Sequence, residues 1–132
     1  MSIDNDLLKT AKPGYEQAYV ELFGEVPGSV RKRWSTVEPL GRGQVAALLE
    51  ELRSQVLLQS ALGLKAQQLV QFGQLVVLGK EHAATLHARA ALRAGATRSD
   101  LLAVAETALI TVGVAGYTLG IEIIAALETS NV

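Results

Sequence analysis

Apolar residues recur along this chain at helical spacing, and no run alternates in the way a half-buried strand would. The clearest case is "GRGQVAALLEELRSQVLLQSAL" (41–62). Val45, Leu48, Leu49, Leu52 and Val56 form one stripe over about Gln44 to Gln59, with Glu50, Glu51 and Arg53 off it. This predicts an amphipathic helix with that stripe as its buried face. Upstream, Pro13 is expected to stop any helix begun at Ile3, leaving "GYEQAYVELFG" (14–24) as a short helix closed by Gly24. Pro27 suits the first turn of the next helix, which should stop before Pro39.

Gly63 breaks the pattern, and "LKAQQLVQFGQLVVLG" (64–79) predicts a helix carrying Gln67, Gln68, Gln71 and Gln74. A helix over about 80–94 should end at Gly95. "TRSD" (97–100) places Thr97 as N-cap and Asp100 at the third helical position, a short-armed capping box. That helix should run to about Val112; "GVAG" then turns the chain into a last helix over roughly 116–128. The expected fold is all-α, about six to seven helices, in a single domain over 1–132.

Composition narrows the classes. Of 132 residues 49% are apolar, enough for a real core, and the net charge of −1 comes from mixed signs with no basic stripe or polybasic tail. Nucleic acid and membrane surfaces are therefore not expected partners. There is no cysteine, which removes disulfides, thiolate metal sites and thiol redox chemistry. "MSIDNDLLKT" lacks the apolar core of a secretory signal, so a cytoplasmic location is expected. The very apolar segment 101–127 imitates a membrane span. Yet Glu106 and Glu122 leave only 15 uncharged residues between them, short of the ~20 a span needs. A helix pair buried in a homo-oligomer explains it better.

Chemistry concentrates in "HAATLHARAALRAGAT" (82–97), which holds both histidines, His82 and His87. A histidine on a helix is more often a satisfied structural residue than a catalyst. Positions i and i+5 lie about 140° apart around a helix, so one metal ion is not expected to be shared and no metal site is expected. No phosphate loop, dinucleotide fingerprint or nucleophile elbow occurs. Tyr15, Tyr19 and Trp34 are expected to pack rather than line a site. In "GYTLG" (116–120) the small residues four apart suit close helix packing.

The stretch from Leu62 to about residue 128 resembles the carboxymuconolactone decarboxylase/AhpD-like (alkylhydroperoxidase D-like) superfamily. "LKAQQLV", "LHARAALRAGAT" and "SDLLAVAETALITVGV" carry the resemblance, and "ELFGEVP" resembles the entry segment. It implies an AhpD-like helical bundle. The alkylhydroperoxidase branch carries C-x-x-C-x-x-x-H. With His87 on the motif histidine and His82 on the intermediate one, the cysteine places fall on Lys80 and Ala83, and the glutamate of the preceding helix falls on Gln68. Thiol peroxidase activity should therefore fail. The decarboxylase branch needs no cysteine and resembles "HARAALRAGATR".

The resemblance implies a small carboxylated lactone or related organic acid as substrate, with no cofactor. His87 would be the general acid/base; His82 would orient it or donate to substrate; Gln68 would be a neutral donor. Lys80, Arg89 and Arg93 are candidate carboxylate binders, and Glu81 could hold a histidine in one tautomer. The family's assemblies imply a hexamer built as a trimer of dimers, or a trimer. The alternative is a non-catalytic oligomeric protein that binds a small molecule or serves as a structural subunit.

Overall fold

The computed structural model describes residues 6–130, with side chains from 7 to 127. Among these residues the chain is helical throughout, with no strand. It forms two compact units, divided between Ser60 and Ala61.

The first unit contains α1 (Asp6–Phe23), α2 (Gly28–Val37), α3 (Gly43–Arg53) and a π-helical turn (Ser54–Leu58). Helix α1 runs through Pro13, where the sequence predicts a stop. Proline removes one ladder bond at a cost of ~3 kcal/mol inside a helix. Packing offsets this: Leu8, before Pro13, and Tyr19, after it, are both buried in one cluster with Val30, Trp34, Ala46 and Ala47. A buried leucine contributes roughly 1.5–3 kcal/mol, so anchoring both sides of the proline keeps the helix continuous. An ion pair from Lys12 to Glu38 adds a tie to the end of α2.

Helix α3 turns opposite to expectation. The predicted apolar stripe faces outward, with Val45 50% and Leu52 60% exposed, while Ala46, Ala47 and Glu50 are buried. Small alanines let α3 approach α1 closely, and the bulky stripe cannot occupy that space. The helix then widens into the π-turn, closed by Gln59 N–H donating to the Ser54 carbonyl at 3.0 Å.

The second unit contains α4 (Leu64–Val77), α5 (Glu81–Arg93), α6 (Arg98–Val112) and α7 (Val114–Ser130). Helix α4 packs on α5, α6 and α7, and α7 also packs on α5 and α6. The core joins Phe72 and Val76 to Ala84, Ala88 and Ala91, then to Leu101, Ala105, Ile123 and Leu127. Alanines supply almost the whole buried face of α5, which lets it lie close to its neighbours. Helices α6 and α7 meet as the small residues of "GYTLG" predict: a Cβ at Gly120 would stand 2.7 Å from that of Ala105. The Thr97 capping box is present in both directions, at 3.1 and 2.9 Å. Helix α7 begins two residues earlier than expected, because Gly113 alone makes the break. No helix among the described residues is long and apolar enough to cross a membrane.

Candidate active site

The turn between α4 and α5 decides which residues meet. Gly79 has a φ of 72°, a left-handed conformation that costs glycine nothing. Its N–H donates to the Val76 carbonyl and that of Lys80 to the Leu75 carbonyl, at 3.0 and 2.9 Å. This pair of bonds is the Schellman arrangement, which satisfies the last carbonyls of α4 and folds the chain back. Helix α5 therefore returns along α4, and a residue in its middle faces a residue in the first half of α4.

Those two residues are His87 and Gln68. Gln68 is 0% exposed and His87 9% exposed. His87 Nδ1 lies 2.6 Å from Gln68 Oε1, and the Gln68 amide nitrogen donates to Gln71 Oε1 at 3.3 Å. In this orientation the carbonyl oxygen accepts, so the ring proton sits on Nδ1. A neutral His87 then carries its basic lone pair on Nε2. An imidazole with a fixed tautomer has a defined proton-accepting edge, which general acid/base chemistry requires.

His82 lies elsewhere. It is exposed and, with Glu81, Thr85, Leu86 and Arg89, lines an open dish of about 330 Å³. The five-residue spacing turns the two histidines away from each other, one into the bundle and one to solvent. Glu81 and Arg89 thus join His82, whereas Gln68 joins His87. Lys80 precedes α5 as its exposed N-terminal cap residue, and Arg93 is exposed in its last turn. Neither belongs to the lining of the dish. Among the described residues no group of three or more His, Asp or Glu is placed to hold a metal ion.

Two features escape the sequence reading. Gln71 completes the amide chain behind His87; its position one turn after Gln68 on the same helix face is the available signal. The other is a polar cluster inside the first unit. Glu50 is 5% exposed and accepts from the Tyr19 hydroxyl at 2.7 Å and from Arg33 at 3.4 Å. Tyr15 donates to Glu51 at 2.8 Å. Burial, foremost, pushes the Tyr19 hydroxyl up to about 12, with the Arg53 charge opposing and the Glu50 bond reinforcing. Burial and the Glu51 bond push that of Tyr15 up to about 12 as well.

The model of the carboxymuconolactone decarboxylase family matches residues 43–126. That match takes in α3 and the π-turn as well as the four helices of the second unit. No curated protein and no solved structure matches.

Proposed function

Because this chain belongs to the carboxymuconolactone decarboxylase family, we propose that it moves a proton on a small carboxylated lactone or related organic acid, with His87 as general acid/base. The observation that carries this reading is the buried His87–Gln68 pair at 2.6 Å. It orients one imidazole and, with the amide oxygen accepting, puts a ring proton on Nδ1. In decarboxylation the bond to the carboxylate carbon breaks and carbon dioxide leaves. The electron pair passes into a dienolate directed to the lactone carbonyl. His87, as imidazolium, then gives its Nε2 proton to the substrate carbon and is reprotonated from water.

The neutral Gln68 fixes the ring without accepting a proton. His82 and Arg89 at the dish, with Lys80 and Arg93 nearby in sequence, are the proposed donors to substrate carboxylates, and Glu81 would hold a histidine in one tautomer. Thiolate attack on a peroxide has no residue to perform it in these 132 positions. The protein is proposed to act in the cytoplasm as a homo-oligomer, a hexamer or a trimer.

The test is turnover of a panel of small carboxylated lactones, followed by carbon dioxide release. His87→Ala is expected to lower turnover by about 10²–10⁴-fold. Full turnover by His87→Ala would sink the proposal. One observation favours a second reading, a non-catalytic oligomeric binding protein: His87 is largely covered and does not line the dish that holds His82. On that reading no lactone is consumed, and His87→Ala changes stability alone.

A further inference from the structure

The turn between α2 and α3 builds a pocket that the chemistry at His87 does not use. Gly41 has a φ of 76°, the left-handed conformation open to glycine. Just past it the Arg42 N–H donates to the Val37 carbonyl at 3.0 Å, which pins the start of α3 to the end of α2. Arg33 and Val37 lie one turn apart on α2, and Arg42, Val45, Ala46 and Leu49 follow one another at helical spacing into α3. These six residues line a pocket of about 360 Å³, a size that suits a small organic molecule. Val37, Val45, Ala46 and Leu49 make an aliphatic wall, and the two arginines are the charged residues of the lining. Leu48 and Leu52, on the same helix, do not line it.

Charge selects the ligand. No acidic residue lines the pocket. Arg33 shares its charge with Glu50, whose buried carboxylate stands 3.4 Å away outside the lining and also faces Arg53. Glu38, beside Val37 in sequence, is tied to Lys12. Arg42 is exposed, and its guanidinium donates to no described residue and pairs with no described carboxylate. One positive charge is therefore unanswered at the pocket. A guanidinium with all its donors spare, beside an aliphatic wall, matches a carboxylate that carries a hydrocarbon chain. Inorganic phosphate would leave the wall unused. An alcohol would leave the charge unanswered, and an amine would be repelled by it.

We propose that this pocket binds an aliphatic monocarboxylate of medium chain length, its carboxylate on Arg42 with Arg33 alongside and its chain against Val37, Val45 and Leu49. The pocket shares no residue with the His87–Gln68 pair or with the dish at His82, so it stands whether or not that pair is catalytic.

Calorimetric titration of the full chain with octanoate tests it. Saturable binding is expected, with octanol, octylammonium and phosphate at least about 10-fold weaker. Along the series butyrate, hexanoate, octanoate, each methylene should tighten binding by about 3-fold. Arg42→Gln should weaken octanoate at least about 10-fold, and Arg42→Lys, which keeps the charge but loses the fork, by less. Arg42 is exposed and unpaired among the described residues, so these changes leave the packing alone. Val45→Asp sets a carboxylate in the half-exposed wall and should abolish binding with helicity retained. Absence of saturable binding would overturn the proposal, and is the result if a second copy of the chain covers this face. So would octanol, octylammonium or phosphate binding as tightly as octanoate, or octanoate binding undiminished in Arg42→Gln or in Val45→Asp.

Discussion

A neutral amide beside a buried imidazole fixes where the ring proton sits without adding a charge. Gln68 does this for His87, and Gln71 fixes the amide in turn. A carboxylate in its place would set a negative charge beside the ring; the amide holds the ring without one. The tyrosines of the first unit, Tyr19 buried and Tyr15 half-buried, are governed by the opposite cost, that of ionising away from water beside carboxylates. Tyr15 and Tyr19 are each pushed from the ordinary 10.0 up to about 12. The folded state therefore favours the neutral phenols. The stability they contribute is whole below pH 10 and is lost as the pH rises through about 12. A spectrophotometric titration should show both ionising later in the native protein than in denaturant. Coincident curves would show that the hydroxyls are not held as described.

At the scale of elements, ends were easier to read than faces. Gly24, Gly95 and the Thr97–Asp100 box mark helix boundaries where the sequence places them, because a cap is a local arrangement of a few residues. Thr97→Ala is expected to cost about 1 kcal/mol, read as a lower denaturant midpoint at unchanged slope. Hydrogen bonding from the Thr97 backbone lowers the Asp100 pKa, with a nearby Lys65 charge adding to it. The contribution of Asp100 is thus present above the ordinary carboxylate range and fades as acid brings the pH down through its lowered value. An unchanged midpoint in Thr97→Ala would show the box to be ornamental. Pro13 misled because its local cost is outweighed by Leu8 and Tyr19, which meet only in the folded unit. The π-turn left no sign, since the pattern through Val56 continues as for an ordinary helix.

At the scale of the whole molecule, large apolar side chains remain outside. The α3 stripe is uncovered, and Ile110 on α6 is 86% exposed. A groove of about 660 Å³ between α4 and α6 is lined by Leu69, Val70, Val77 and Val104 among others. Surfaces of this kind match the proposed homo-oligomer. Sedimentation should find an assembly at micromolar concentration, and Leu48→Glu with Leu52→Glu should reduce it to smaller species with helicity retained. A monomeric parent would overturn that part of the proposal. The sequence by itself determined the helical class, most helix ends and the family. These depend on spacing along one chain and on residue chemistry. Tertiary structure alone decided that His87 meets Gln68 while His82 faces solvent, that α3 buries alanines and Glu50 instead of its leucines, and that Arg33 and Arg42 line one pocket. Each follows from how helices rotate and approach when side-chain volumes must fill a shared space, which spacing along a single helix does not specify.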